Sequence, residues 1–213
     1  MEEDIKVVIF DCDGVMFDSS SANIAYYNAI LKHFGKEPLT PKQFEYVHMH
    51  TVYAALCYLF DNETDRKAAL SYSANMSYEE FIKYMEMEPN LTTLLDWLRP
   101  EMKTAVATNR STTIGRVLTE HNIEKYFDLV VSALDVENPK PAPDMLIKII
   151  DRFNITPKQT IYIGDSQLDE EAANAAGVPL IAYKNQSLSA DYHINGFMEV
   201  QEILDGRTSK HRL

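Results

Sequence analysis

The 213-residue chain has only two cysteines, Cys12 and Cys57. Two thiols are too few for a disulfide framework or, by themselves, a zinc site, so a reducing cytoplasm is the expected compartment. Long hydrophobic runs are also missing. Runs such as VVIF and LIAY fall well below the roughly 18 residues a membrane-crossing helix needs. The opening MEEDIK has neither the basic nor the apolar region of an export signal. Basic charge is scarce: 20 Lys and Arg stand against 32 Asp and Glu, for a net charge of −12. That balance argues against nonspecific binding to nucleic acid or to an anionic membrane. No internal repeat or low-complexity tract is present.

The remaining composition, 46% hydrophobic and 24% charged, is that of a globular protein able to bury a core, with one or two domains expected from the length. A wholly apolar, β-rich run occurs at 7 to 10, as expected of a parallel strand buried on both faces, and similar runs recur at 104 to 107, 129 to 132, 160 to 163 and 179 to 182. Helical patterns at 111 to 121, 143 to 153 and 168 to 176 alternate with them. The alternation predicts an α/β fold with a doubly wound, Rossmann-like parallel sheet.

Residues 18 to 90 break this rhythm and read as successive helices with no strand between them. The first follows the serines at 19 to 21 and is expected to bury Ile24, Tyr27, Ile30, Leu31 and Phe34. A second follows Thr40-Pro41, and a third lies near 65 to 75. A last helix opens on Ser77 and Glu80, spaced as a capping box, and stops before Pro89. The expected division is a discontinuous core of 1–15 and 92–205, an all-helical cap inserted at 16–91, and a short basic tail at 206–213.

In an open parallel sheet, ligands bind beyond the carboxyl ends of the strands. Asp11-Cys12-Asp13-Gly14 follows the first run, and Thr108, Asn109 and Arg110 follow the second. Lys140 lies in the loop after the third, and Gly164-Asp165-Ser166 with Asp169 follows the fourth. Singly, each has an ordinary explanation as a turn, a helix cap or a surface lysine. In this order, each behind its own strand, they describe a site. Asp11, Asp13 and Asp165 offer the hard oxygens that Mg²⁺ takes together with water and phosphate. Their three negative charges are formally balanced by Mg²⁺ and Lys140. Thr108, Asn109 and loop N–H groups remain to receive a phosphate. Asp11 can then attack phosphorus, while Asp13 protonates the leaving oxygen and later deprotonates water.

The segments FDCDGVMFDS, VATNRST, NPKPAPDML and YIGDSQLDEEAANAAG resemble the four motifs of the haloacid dehalogenase superfamily, in order and spacing. The helical insert resembles the cap of its phosphoglycolate phosphatase and β-phosphoglucomutase branch. The resemblance implies a nucleophile at Asp11, an acid/base at Asp13, phosphate contacts from Thr108 and Asn109, and charge balance by Lys140. It also implies Mg²⁺ held by Asp11, Asp165 and the backbone carbonyl of Asp13, with Asp169 supporting the metal site.

Within that family, retention of Asp13 favours cleavage of an oxygen ester, because a carbon–halogen bond needs no protonated leaving oxygen. The expected activity is Mg²⁺-dependent hydrolysis of a small phosphorylated metabolite through an aspartyl phosphate, by a monomer or homodimer. The alternatives are a phosphosugar mutase using the same nucleophile and a non-catalytic binding protein on the same fold. The mutase needs a cap cation for a second phosphate, and the corresponding stretch, 48 to 53, contains no Arg. Candidate substrate-selecting residues are Arg110, Asn23, His48, His50 and Thr51. His48 and His50, two apart, do not share a helix face and are not expected to pair on a metal. The cap tyrosines, including Tyr26, Tyr27 and Tyr78, are expected to pack in its core.

Overall fold

A computed structural model of the chain describes residues 4–209. β1 (Val7–Phe10) is followed by a two-residue strand, β2 (Phe17–Asp18), and then by α1 (Ser20–His33), α2 (Pro41–Met49), α3 (Val52–Leu59), α4 (Glu63–Asn75) and α5 (Glu79–Ile82). A second short strand, β3 (Glu86–Met87), precedes α6 (Leu91–Leu98), β4 (Lys103–Thr108), α7 (Ile114–Glu120) and β5 (Leu129–Ser132). The chain continues through α8 (Asp144–Phe153), β6 (Thr160–Gly164), α9 (Gln167–Ala176), β7 (Leu180–Tyr183), β8 (Tyr192–Ile194) and α10 (Met198–Ser209).

Six strands form one sheet in the order β5-β4-β1-β6-β7-β8, with every pairing parallel. The expected α/β, doubly wound sheet is therefore present. All four residues of β1 are buried, and they alternate between faces: Val8 and Phe10 enter one apolar cluster, Val7 and Ile9 the other. The second cluster is closed by Met145, Leu146 and Ile149 of α8 and by Ala172 and Ala173 of α9. The first cluster runs from the sheet through Leu94 and Leu95 of α6 into Tyr26, Val47 and Leu56 of the helices before it. Strand order reverses at β1, which lies between β4 and β6. The crevice beyond its carboxyl end is the ligand position for a sheet of this kind.

The segment between β1 and α6 differs from expectation in several ways. It contains a strand pair: Phe17 faces Met87 and Asp18 faces Glu86 in an antiparallel ribbon of β2 and β3. It also contains α3, which the unbroken apolar sequence VYAALCYL obscured by offering no polar face. On α1, Ile24 is exposed, and the buried face is Ala22, Asn23, Tyr26, Tyr27, Ile30 and Leu31. The buried register runs through Asn23 because partners satisfy its amide. The N-cap of α5 is Tyr78, one residue after Ser77, and the helix ends at Ile82. β8 was also hidden, its three residues being a short edge strand. The expected tail from 206 instead continues α10 to Ser209, and its last four residues lie outside those described.

Candidate active site

Asp11, Thr108 and Asp165 stand where strands of the sheet end. Asp11 directly follows β1, and its N–H continues the ladder by donating to the Ile163 carbonyl at 2.9 Å. The chain then turns sharply. Gly14 N–H donates to the Phe17 carbonyl at 2.8 Å, with Gly14 at φ 81°, in the left-handed region glycine tolerates. A Cβ at Gly14 would collide with the Asp165 carboxylate, so the absence of a side chain is what lets the two loops meet.

Lys140 arrives from the loop between β5 and α8 and is buried. Its ammonium lies 2.7 Å from Asp169 Oδ1, 2.8 Å from Asp11 Oδ1 and 3.0 Å from the Tyr162 hydroxyl. Asp169 is held from both sides. Its Oδ1 accepts from Tyr162 at 2.5 Å, and its Oδ2 accepts from Ser166 Oγ at 2.6 Å, Ser166 N–H at 3.0 Å and Asp165 N–H at 3.2 Å. Ser166 is the N-cap of α9 and Asp169 its third residue, so a capping box fixes the carboxylate that fixes the lysine. Tyr162 and Ser166 were not singled out from sequence. The signal for Tyr162 is a hydroxyl in a strand buried on both faces, which requires a polar partner.

Electrostatics separate the aspartates. Burial raises Asp169, but Lys140 and the hydrogen bonds from Ser166 and Tyr162 outweigh it and hold its carboxyl below the ordinary value. Burial pushes Asp11 up to about 7, against the pull of Lys140 and with help from the neighbouring carboxylates. Asp165 is raised well above its ordinary value, first by burial and then by Asp169 and Asp11. Burial also lowers Lys140, yet Asp11 and Asp169 outweigh it and hold the ammonium charged.

Carboxylate oxygens of Asp11, Asp165 and Asp169 lie within 4.8 Å of one another. Lys140 pairs with Asp11 Oδ1 by proximity but outside hydrogen-bond angles, leaving that buried oxygen without a hydrogen bond. Two carboxyls raised first by burial and further by their carboxylate neighbours, one with an oxygen met only by the Lys140 ammonium, are a donor set suited to a hard divalent cation. The Asp13 carboxylate is directed elsewhere. Arg110 grips it with Nε to Oδ2 at 2.9 Å and Nη2 to Oδ1 at 2.6 Å, and the Ser19 hydroxyl donates to Oδ1. Burial raises Asp13, but the Arg110 charge and hydrogen bonds outweigh it, so the carboxyl sits below its ordinary value.

Thr108 ends β4, and its Oγ1 accepts the Arg110 N–H at 3.1 Å. Asn109 donates to the carbonyls of Lys140 at 3.0 Å and Met49 at 3.4 Å, while its own buried Oδ1 has no partner. Arg110 also donates to Tyr78 OH at 3.2 Å and to Thr113 Oγ1 at 3.2 Å, with its guanidinium over the Tyr78 ring. Tyr78 OH donates to Asn23 Oδ1 at 2.9 Å, and Asn23 Nδ2 meets His48 Nδ1 at 2.9 Å. A closed polar circuit thus joins α1, α2 and Tyr78 to Asp13. Burial lowers His48 and favours its neutral form.

Of the candidate substrate-selecting residues, Arg110, Asn23, His48 and His50 line one cavity of about 400 Å³ with Asp11, Asp13, Thr108, Asn109, Lys140 and Asp165. Thr51 does not line it. Its hydroxyl caps α3 by accepting the Ala54 N–H at 3.2 Å, a local use of the side chain. The cap tyrosines divide: Tyr26, Tyr27 and Tyr78 are buried against the cavity, Tyr53 is exposed at its lining, and Tyr58 and Tyr84 are partly exposed away from it.

Residues 8–183 match the family model for haloacid dehalogenase-like hydrolase. The chain belongs to that family. It is thus an enzyme with hydrolases for relatives. A crystal structure of a haloacid dehalogenase-superfamily hydrolase, subfamily IA, from Geobacter sulfurreducens is 37% identical, covers 94% of this chain and 96% of its own, and superposes with a TM-score of 0.77. A phosphorylated carbohydrates phosphatase of Thermotoga maritima is 26% identical over 83% of this chain and 84% of its own length. A phosphoglycolate phosphatase of Escherichia coli is 40% identical over 77 residues, 36% of this chain and 31% of that protein. Among the described residues no helix is long and apolar enough to cross a membrane.

Proposed function

We propose that this hydrolase is a Mg²⁺-dependent phosphatase acting on a small phosphomonoester through an aspartyl phosphate on Asp11. The observation that carries the reading is the convergence of Asp11, Lys140 and the Asp165–Asp169 pair at the strand ends, where one buried Asp11 oxygen lacks a hydrogen bond. Asp11 and Asp165, with the backbone carbonyl of Asp13, would hold the cation, and Asp169 would support them. When bound, the cation keeps the raised carboxyls ionised and offsets phosphate charge.

Asp11 attacks phosphorus as the ester P–O bond breaks, and Asp13 supplies the proton taken up by the departing alkoxide. Water then attacks the phosphoryl group, Asp13 accepts its proton, and Asp11 leaves as a free carboxylate with phosphate released. Lys140 and the donors of Thr108 and Asn109 stabilise the phosphoryl oxygens. Asp13 can carry a proton only after its grip by Arg110 loosens. Cap residues 16–91 would move against the core, 1–15 and 92–205, about the β2–β3 ribbon and Asn90, excluding bulk water during the reaction.

The purified protein with Mg²⁺ should release phosphate from a generic aryl phosphate, and Asp11→Asn should lose at least about a thousandfold in kcat, the order of an essential catalytic group. Undiminished turnover by Asp11→Asn would remove the nucleophile assignment. Absence of turnover from every ester in a broad panel would favour the non-catalytic alternative.

A further inference from the structure

The 400 Å³ cavity extends from the strand ends up between the helices of the cap and falls in the roughly 300–1,000 Å³ range of small-molecule sites. Its charges are all at one end. Asp11, Asp13, Asp165, Lys140 and Arg110 cluster at the sheet, and no Lys, Arg, Asp or Glu among the described residues lines the remainder. That remainder is walled by Tyr26, Tyr27, Val47, Leu70, Ser73 and Met76. Of its polar groups, which include His48 and His50, several already have partners. Asn23 is shared between His48 and Tyr78, and the Ser73 hydroxyl donates to the Leu70 carbonyl at 2.9 Å. Arg110, which faces the cap, is engaged by Asp13, Tyr78 and Thr113.

From this we infer, building on the phosphatase reading, that the alcohol released is uncharged and ring-sized, lying against the aromatic and aliphatic wall of the cap. A second anionic group in the substrate would be desolvated there without a vacant cation, which is strongly unfavourable. A two-carbon alcohol would leave the apolar wall uncovered and forgo its burial. Both a carboxylate-bearing ester and a bisphosphate are thus disfavoured by the same surface.

The test is a kinetic panel with Mg²⁺ whose members differ in one respect at a time: benzyl phosphate, 4-carboxybenzyl phosphate, ethyl phosphate, 2-phosphoglycolate and a hexose 6-phosphate. The neutral ring esters should exceed the carboxylated ester, ethyl phosphate and 2-phosphoglycolate by about tenfold or more in kcat/KM. A lead for benzyl phosphate over the hexose ester marks an aryl body, and the reverse marks a sugar ring; either supports the inference. Ala74→Phe, at an exposed cavity-lining position of α4, should lower the benzyl-to-ethyl ratio by about tenfold by filling the cap end. Dissociation constants measured on Asp11→Asn protein should fall in the same order as the kinetic preference. A tenfold preference for 2-phosphoglycolate or 4-carboxybenzyl phosphate, with turnover still lost in Asp11→Asn, would overturn the substrate class and leave the phosphatase reading standing. No turnover of any ester would overturn both.

Discussion

At the scale of single residues, the site is governed by what each buried charge touches. Asp169 and Lys140 form a pair in which each satisfies the other, with Tyr162 and Ser166 completing the shell. Removing one partner strands the other. Asp169→Ala should therefore cost about 3 kcal/mol or more of unfolding free energy, read from denaturant titration, because Lys140 keeps only Asp11 as a counter-charge, with the neutral Tyr162 hydroxyl beside it. A loss below about 0.5 kcal/mol, typical of surface substitutions, would show that the pair is not mutually dependent.

Asp128 gives a pH test away from the site. Burial raises it, but the hydrogen bonds from Lys103 at 2.7 Å and Thr104 N–H at 3.1 Å outweigh that, and its carboxyl is depressed. A depressed carboxyl contributes stability at pH values above its unfolded pKa and loses it as the pH falls through the folded one. Asp128→Asn should be about 1 kcal/mol less stable than the parent at pH 7, and the gap should close as the pH drops below 3.8, the ordinary carboxyl value. A gap unchanged by acid would exclude the ionic contribution.

Much of this residue detail was legible because the chemistry-bearing groups follow apolar runs directly. Asp11, Thr108 and Asp165 could be placed at strand ends by adjacency alone. The Asp13–Arg110 grip was not legible, since it joins residues 97 apart in sequence through a side-chain rotamer. The cap that Thr51 makes on the Ala54 N–H was not legible either, because the sequence did not reveal that α3 begins behind it.

At the scale of elements, glycine decides how closely loops approach. Gly14 lets the loop after β1 come against Asp165, and Gly164 likewise faces the Asp169 side chain. Gly14→Ala meets two penalties, a left-handed φ costing about 1–2 kcal/mol and a displaced Asp165 carboxylate. The variant should need more than tenfold higher Mg²⁺ for half-maximal turnover; parental Mg²⁺ dependence would show that Asp165 tolerates the displacement. Helices with a mixed face, such as α8 and α9, were readable from periodicity. By contrast α3 is apolar almost throughout, and β2 and β3 have two residues each, too short for any period to register. The inserted helices pack on one another through an aromatic group that includes Tyr26, Tyr27, Tyr78 and Phe81. Aromatic residues in this chain therefore serve both core and cavity wall, which no spacing rule separates.

At the scale of the whole molecule, cation binding should couple to stability, because the carboxylates come from two separate strand ends. Saturation to about a hundredfold above the dissociation constant adds about 2.7 kcal/mol. For a chain of this length that corresponds to a rise of about 5–10 °C in Tm. Asp165→Asn should abolish most of the rise in a thermal melt with and without Mg²⁺. An unchanged rise would place the cation elsewhere. The net charge of −12 does not help capture a phosphate at long range, so the donors inside the crevice act alone, at short range and with little dependence on salt.

The position of β1 at the centre of the sheet has a consequence for how the molecule assembles. Val7 is paired with Lys103 on one side and with Thr160 on the other, so the first strand made has no neighbour in the sheet until residue 103 and lacks its second until residue 160. Contacts of such long sequence separation demand large loop closures and make folding slow relative to helical proteins of similar stability. The helices between residues 20 and 82 pack on one another through contacts closer in sequence than those of the sheet's centre. Because Asp165 and Asp169 follow β6, the site at the end of β1 cannot assemble until that late part of the chain is in place.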